Sequence, residues 1–332
     1  MTFQSTVRVI ILMVFMWSLL PFFCLCKFIK TVYNYVSPGE SVKGKVVLIT
    51  GASSGIGEQL SYEYAKRGAC LVIVARRENL IKKVAEEARK LGSPEVVPIC
   101  ADVCRVDDCK KFVEKAISHF GRLDHVVNNA GISCYSPMED VTDITKLAPL
   151  VDVNFWGSIY PTYFAIPHLK KSKGTIFVNA SATAYLHAAG LSLYGASKAA
   201  LVNFYETMRV ELGPEISITI ATLGFVDSEI TRGKNLNTKG TPEFNPELSD
   251  AFINKLPVMS SEDCAKSIVK AVCRKQRYVT KPTWFRLFFF LETLCPELTE
   301  WVNRNSFHQL KLKAPEAKPI FGPLSPSLHK SD

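Results

Sequence analysis

The chain has 332 residues, of which 47% are hydrophobic, so it is long enough to bury one large core or two ordinary ones. Its formal charge of +9 is compatible with nucleic acid, an anionic membrane surface or an anionic cofactor. The basic residues are scattered, and no nucleic-acid-binding module is visible in the sequence. We therefore expect no nucleic acid among the partners.

The ten cysteines do not form the even framework that small secreted domains use. Cys70 lies inside an apolar, strand-like run, as does Cys100. Cys100, Cys104 and Cys109 suggest a metal site, but no second Cys/His pair nearby completes a tetrahedral ligand set. We predict free thiols in a reducing compartment and no bound metal.

The N-terminus contains an uncharged run, residues 9–26, between Arg8 on one side and Lys27 and Lys30 on the other. Its length is marginal for spanning a hydrocarbon core of roughly 30 Å. A cleaved signal peptide is the alternative, but such peptides end in small residues, whereas this run contains Trp17 and other bulky side chains. Residues 1–41 are therefore predicted to be a single hydrophobic membrane anchor with its linker.

After the linker, apolar strand-like runs alternate with longer helical patterns, which is typical of βαβ units. The runs are continuously apolar, as expected for parallel strands covered by helices on both faces. We predict a single α/β domain, residues 42–281, built on a Rossmann-type doubly wound parallel sheet. Its strands are predicted at residues 45–50, 70–75, 95–100, 125–128, 174–179 and 216–222, with a weaker last one near Tyr278.

Three later segments depart from this alternation. Residues 233–248 are polar and are predicted to be a loop of a substrate lid, with disorder as the alternative. Residues 284–291 are too apolar for a free surface, so they are expected to contact a partner subunit or lipid. They belong to a predicted apolar helical extension, residues 282–313. The last residues, 314–332, are predicted to be a disordered tail.

A glycine-rich turn after the first strand predicts a dinucleotide site. Residues 50–57 read TGASSGIG, and they open a helix whose N-terminal N–H groups can bind a pyrophosphate. An ordinary strand-to-helix turn is the alternative. The residues predicted to bind the cofactor here are Gly51, Ser53, Ser54, Gly55, Ile56 and Gly57.

The ends of the next strands indicate which dinucleotide is bound. Arg76 and Arg77 follow the second strand, where an acidic residue would contact the 2′-hydroxyl of NAD and an arginine can pair with the 2′-phosphate of NADP. NADP(H) is therefore predicted, unless both arginines are merely solvated. Further predicted cofactor contacts are Asp102 and Val103 beside the adenine, and the turn Asn129, Ala130 and Gly131. For Asp102 alone, a helix cap is the alternative.

The spacing of Tyr194 and Lys198 predicts the reaction chemistry, because residues four positions apart lie on the same face of a helix. A nearby ammonium group would lower the pKa of the phenol and make Tyr194 a usable acid and base. Ser181, at the end of the fifth strand, would share the substrate oxygen with Tyr194. Asn154 would hold a water that connects the lysine to solvent. Tyr194 and Lys198 are also predicted to contact the cofactor.

These motifs, in this order, resemble the short-chain dehydrogenase/reductase family over residues 42–280. The resemblance implies Asn154, Ser181, Tyr194 and Lys198 as the catalytic set, a seven-stranded doubly wound sheet and frequent oligomers, so a homodimer is expected. In that family a Pro-Gly pair usually follows the sixth strand, with a threonine soon after. This chain has Leu223-Gly224 and Ser228 instead, so the resemblance does not assign the nicotinamide-side contacts.

The anchor, residues 48–57, the Phe155-Trp156-Gly157 motif and Cys295-Pro296-Glu297 are similar to the plant 11β-hydroxysteroid dehydrogenase-like proteins, or steroleosins. That resemblance implies an apolar, hydroxysteroid or sterol substrate and an endoplasmic reticulum membrane. An oil-body location is implied less strongly, because the anchor has Pro21 but no proline cluster.

The resulting prediction is an NADP-dependent oxidoreductase that interconverts a hydroxyl and a carbonyl group. The alternatives are a lipid-surface scaffold that binds cofactor without turnover and a sugar epimerase, whose glycine spacing differs. The positive-inside rule favours a cytosolic catalytic domain, because Lys27, Lys30, Lys43 and Lys45 follow the anchor and Arg8 precedes it. A lumenal domain is the alternative.

Overall fold

The computed structural model of the chain describes residues 3–36, 38–245 and 257–313. Its centre is one seven-stranded parallel sheet in the order β3-β2-β1-β4-β5-β6-β9. The order reverses between β1 and β4, which is the switch point where open α/β sheets bind ligands. The strands are β1 (Val46–Thr50), β2 (Cys70–Ala75), β3 (Val96–Cys100), β4 (His125–Asn128), β5 (Thr175–Asn179), β6 (Ser217–Leu223) and β9 (Tyr278–Lys281).

Helices cover both faces of the sheet and bury two apolar clusters. In β1, Val47 and Ile49 point into the first cluster, while Val46 and Leu48 point into the second. This alternation explains why the strand is apolar throughout. The first cluster is closed by α2 (Gly55–Lys66), α3 (Glu78–Lys90) and α8 (Ser261–Cys273), and the second by α4 (Val106–Phe120), α6 (Gly157–Ser172) and α7 (Ser192–Leu212).

The structure confirms the predicted single-domain, doubly wound parallel sheet. Each of the seven predicted strands is present, and where limits were predicted, the ends differ by at most one residue. The agreement has a simple cause: strands buried on both faces form apolar runs whose limits are visible locally.

The predicted lid loop is more regular than expected. Strands β7 (Lys234–Leu236) and β8 (Pro242–Phe244) form an antiparallel hairpin outside the main sheet. Leu236 is buried among Cys134, Leu147 and Leu150, and this apolar contact holds the hairpin against the domain. Residues 246–248 lie outside the described residues, as do the last nineteen, 314–332, for which disorder was predicted.

The apolar segment 284–291 packs partly on its own domain, so the expectation of a partner or lipid contact was incomplete. It forms the start of α9 (Phe285–Leu294), which is followed by α10 (Pro296–Lys313). Phe285 is buried, and a Cβ at Gly224 would lie 1.8 Å from its ring. Glycine is therefore needed at position 224. Leu287 and Phe290 remain 60% and 61% exposed.

The N-terminal run lies in a single helix, α1 (Phe3–Val36). Its segment Gln4–Ile29 has 26 residues, a mean hydropathy of 2.6 and no buried part. By length and composition, this helix can cross a membrane.

Candidate active site

The glycine-rich turn between β1 and α2 is held in a shape that only glycine permits. Gly51 and Gly55 have φ angles of +65° and +57°. A Cβ at Gly57 would lie 2.2 Å from the carbonyl oxygen of Gly51 and 2.5 Å from Nδ2 of Asn129. The backbone of the turn therefore packs closely against Asn129, and the turn also lines a cavity that can hold a ligand.

The N-terminus of α2 faces the same space. Ser54 is its N-cap residue, and its hydroxyl does not cap the helix within the described part of the chain. The N–H groups of the first turn, which have no partner inside the helix, therefore remain available to an anion. This arrangement fits a dinucleotide pyrophosphate.

Asn129 ties the turn to the neighbouring strands. Its Nδ2 donates to the carbonyl oxygens of Thr50, at 3.2 Å, and Gly51, at 3.3 Å. Its Oδ1 accepts from Nδ2 of Asn179 at 2.9 Å. The predicted Asn129-Ala130-Gly131 turn therefore lies beside the phosphate turn, at the switch point of the sheet.

The two arginines after β2 have different surroundings. The Arg76 side chain is largely exposed and lies 3.8 Å from the Asp102 carboxylate. Arg77 donates to Oε1 of Glu229 at 2.8 Å and to the hydroxyls of Ser53 and Ser54. Arg76 is consequently the arginine with more freedom to reach a ligand phosphate.

Asp102 does not cap α4, whose N-cap residue is Arg105. Its Oδ1 accepts from the N–H of Cys104 at 3.0 Å, which is a local turn contact. Asp102 also lines the cavity at the sheet edge, so the predicted position beside the ligand remains compatible with its place in the structure.

Tyr194, Ser181 and Lys198 meet at the carboxyl ends of β5 and β6. Ser181 hydrogen-bonds Tyr194. The Lys198 ammonium lies 5.8 Å from the centroid of the Tyr194 ring and donates to the carbonyl oxygen of Asn179 at 2.9 Å. Ser181 and Lys198 are both buried. The structure thus brings the hydroxyl of Ser181, which lies on a different element, to the phenol and amine that the four-residue spacing already pairs.

Asn154 is fully buried in a π-helical turn, Asp152–Trp156, between α5 (Ala148–Val151) and α6. Its amide exchanges two 2.9 Å hydrogen bonds with the backbone of Ile132 and donates to Ser197 Oγ at 3.0 Å. A Cβ at Gly131 would lie 3.3 Å from Asn154 Oδ1 and 3.4 Å from Lys198 Nζ. Asn154 and Lys198 therefore both lie beside Gly131, and the water expected to link the lysine to solvent stays a prediction. Turns of π type often occur at functional sites.

Burial dominates the ionisation of this group. It lowers the pKa of Lys198 to about 8. It also raises the pKa of Tyr194 above its usual value, while the hydrogen bond from Ser181 opposes the change. The prediction of a lowered phenol pKa was wrong for this arrangement, because burial raises the pKa of Tyr194 more than the hydrogen bond from Ser181 lowers it.

One cavity of about 460 Å³ connects these features. Asn154 is the one predicted site residue that does not line it, because it lies behind Gly131 and Lys198. Lining residues that the sequence did not indicate include Asn179, Glu229 and Thr231, whereas Lys234 and Leu236 line the cavity from the predicted lid. The predicted residues that line it are Gly51, Ser53, Ser54, Gly55, Ile56, Gly57, Arg76, Arg77, Asp102, Val103, Asn129, Ala130, Gly131, Ser181, Tyr194 and Lys198.

Comparison with known proteins identifies the family. The model of the short chain dehydrogenase family matches residues 45–239. The chain is 52% identical to 11-beta-hydroxysteroid dehydrogenase 1A of Arabidopsis thaliana over 282 residues, 85% of this chain and 80% of the relative. The chain belongs to the short-chain dehydrogenase family. It is an oxidoreductase, and the family uses a nicotinamide cofactor.

Other comparisons agree. The chain is 48% identical to 11-beta-hydroxysteroid dehydrogenase A of Arachis hypogaea over 91% of this chain and 85% of that one. Its fold matches the crystal structure of a short chain dehydrogenase/reductase from Burkholderia phymatum in complex with NAD. That match has a TM-score of 0.68 and 21% identity, and it covers 85% of this chain and 99% of that one.

Proposed function

We propose that the protein interconverts a hydroxyl and a carbonyl group on an apolar, hydroxysteroid-like or sterol-like substrate with NADP(H). The observation that carries this proposal is the shared cavity: Tyr194, Ser181 and Lys198 line the same space as the phosphate turn at the N-terminus of α2. A proton donor and a dinucleotide site within one cavity are what a carbonyl reduction requires.

Each side chain has a distinct proposed role. Tyr194 donates a proton to the substrate oxygen during reduction and removes it during oxidation, while Ser181 hydrogen-bonds the same oxygen. Lys198, charged below a pH of about 8, orients the cofactor and supports proton transfer by Tyr194. Asn154 holds a water that connects the lysine to solvent. The nicotinamide supplies or accepts the hydride when bound.

The preference for NADP(H) rests on Arg76. Its guanidinium is exposed beside the cavity at the end of β2, where a 2′-phosphate would lie in a dinucleotide bound along the sheet edge. Its neighbour Asp102 is 3.8 Å away, too far for a tight ion pair, so the arginine can turn toward a phosphate.

The apolar substrate is supported by two observations. The curated relatives of the chain are named as 11-beta-hydroxysteroid dehydrogenases. Beside Tyr194, the cavity is lined by the apolar side chains of Leu236, Pro149 and Val153, and the tyrosine packs on the buried cluster to which Leu236 belongs. Such a wall suits a rigid hydrocarbon with one polar group that reaches Tyr194.

We also propose a membrane location, through α1, at the endoplasmic reticulum or a lipid droplet. The exposed apolar span Gln4–Ile29 of this helix, with its uncharged run 9–26, supports it. A homodimer is proposed because the π-helical turn before α6, α6 itself and α7 carry exposed Trp156, Tyr163 and Val210, respectively. The chain is proposed to divide into an anchor and linker (1–41), a catalytic domain (42–281), a helical extension (282–313) and a tail (314–332).

Purified full-length protein in detergent, tested with NADPH and NADH against a panel of apolar ketones, tests the proposal. We expect turnover of rigid polycyclic ketones with NADPH. Tight binding of NADPH without turnover of any ketone or alcohol would instead support the scaffold alternative. Turnover restricted to small polar carbonyl compounds would overturn the substrate class.

A further inference from the structure

A short segment crosses the carboxyl edge of the sheet above the cavity. We call residues 226–236 the strap. In the sheet, β2 and β6 are separated by β1, β4 and β5, so roughly 19 Å lies between them at the usual strand spacing. Yet Glu229, shortly after β6, pairs with Arg77, shortly after β2. The strap must therefore pass over the ends of the strands between them, where the cavity lies.

The contact between Glu229 and the cofactor turn involves several groups. Arg77 Nη1 donates to Oε1 of Glu229 at 2.8 Å, and the Ser54 hydroxyl donates to Oε2 at 3.1 Å. Arg77 Nη2 in turn donates to Ser54 Oγ at 2.5 Å. Since Ser54 is the N-cap residue of α2, the carboxylate is fixed at the mouth of the phosphate turn.

Two further contacts hold the strap against this turn. A Cβ at Gly55 would lie 3.5 Å from Cβ of Ser228, so the strap passes close to the turn at this position. Lys234 Nζ donates to Oε2 of Glu229 at 2.9 Å. Partial burial opposes ionisation of Glu229, but its bonds with Arg77 and Lys234 outweigh burial and hold its pKa at about 2. The bridge therefore persists at neutral pH.

The other end of the strap reaches the substrate side. The Leu236 N–H donates to the carbonyl oxygen of Ser133 at 2.8 Å. Its side chain belongs to the buried cluster on which Tyr194 packs. One continuous segment is thus fixed to the cofactor turn at one end and to the wall beside Tyr194 at the other.

We propose that Glu229 is a positioning residue that holds the strap closed over the bound dinucleotide, slows its release and keeps the Tyr194 wall in place. The proposal needs a nicotinamide dinucleotide in the cavity but does not depend on the choice between NADP and NAD, because Glu229 acts through Arg77 and Ser54.

The test uses full-length protein in detergent and the isosteric Glu229→Gln variant. Release of bound NADPH and of bound NADH is followed by nucleotide fluorescence after mixing with excess oxidised cofactor. We expect both to leave about tenfold faster, equivalent to about 1.4 kcal/mol. We also expect KM for the ketone to rise more than kcat falls. Arg77→Gln should act similarly, and the double variant should be no worse than the single ones.

Asp227→Asn is the matched control, because it removes another ion pair of the strap, with Arg232 at 2.7 Å, that does not reach the cofactor turn. It should leave both release rates unchanged. Tighter NADPH binding by Glu229→Gln with unchanged NADH binding would overturn the proposal, since Glu229 would then compete with the 2′-phosphate. A lower melting temperature with unchanged release would also overturn it. Failure of the unaltered chain to bind either dinucleotide would refute the cofactor site itself.

Discussion

The carboxyl edge of the sheet and the terminal helices differ in which side chains they bury and which they expose. At the edge, polar groups such as Asn154, Ser181 and Lys198 are buried inside an apolar domain. In α1 and α9 large apolar side chains are exposed, with Trp17 at 74% and Phe290 at 61%.

A buried polar group costs free energy unless it is hydrogen-bonded. An exposed apolar patch costs free energy unless lipid or another protein covers it. Both regions therefore depart from the ordinary pattern of a soluble domain. We propose that the chemistry occurs at the buried polar edge and that membrane attachment occurs through the exposed apolar helix. The predictions below test this division, in order of their expected effect on turnover.

Tyr194→Phe is expected to have the largest effect. It removes the proton donor but keeps the ring that packs on the Leu236 cluster, so turnover should fall by about 10²–10⁴-fold while NADPH binding persists. Steady-state rates and fluorescence titration measure the two quantities. Tyr185→Phe, which removes a hydroxyl bonded to Tyr278 at 3.0 Å, is the control and should stay active. Near-normal turnover by Tyr194→Phe would refute the mechanism.

Arg76→Asp is expected to change cofactor choice. A carboxylate there repels a 2′-phosphate and can accept a bond from a 2′-hydroxyl, so the NADPH to NADH ratio of kcat/KM should fall by about tenfold to a hundredfold. Arg105→Asp alters an exposed arginine that is absent from the cavity lining, and it should leave the ratio unchanged. An unchanged ratio in Arg76→Asp would assign phosphate binding to another residue.

The pH dependence of ketone reduction should reflect Lys198. Its pKa is lowered to about 8, so the lysine is charged below that pH and neutral above it. The pKa of Tyr194 is raised, so the phenol keeps its proton through this range. We expect kcat/KM to fall about tenfold per pH unit above pH 8. Lys198→Arg should remove this fall, and a flat wild-type profile would contradict the assignment.

Removal of residues 1–41 should affect location rather than chemistry. The first strand begins at Val46, so the cavity is retained, and kcat should stay unchanged. Carbonate extraction of the full-length chain should leave it in the membrane pellet, while much of the truncated chain should become soluble. If the full-length chain is washed off by carbonate, the anchor proposal fails. Protease protection in sealed vesicles tests the expected cytosolic orientation.

Local patterns in the sequence were sufficient to predict the sheet and much of the candidate site. The strands are buried on both faces, so they are apolar throughout and their limits are visible without a partner. The glycines of residues 50–57 and the four-residue spacing of Tyr194 and Lys198 are likewise local, because a turn and one helical turn fix their geometry.

Other features depended on contacts between distant parts of the chain. Glu229 and Arg77 are 152 residues apart, and the sequence gives no sign that they pair. The need for glycine at position 224 arises from the ring of Phe285, which a later helix brings over the end of β6. The segment predicted as a lid loop contains a hairpin, because Leu236 is buried among side chains that come much earlier in the chain.

The sequence by itself therefore determined the parallel sheet, the phosphate turn and the reactive pair, since each follows from spacing along a strand, turn or helix. The tertiary structure decided which arginine pairs with Glu229 and where the strap crosses the edge of the sheet. It also decided how burial changes the pKa values of Tyr194 and Lys198. The physical reason is that burial and long-range ion pairs depend on which distant elements pack together, and no local pattern records that packing.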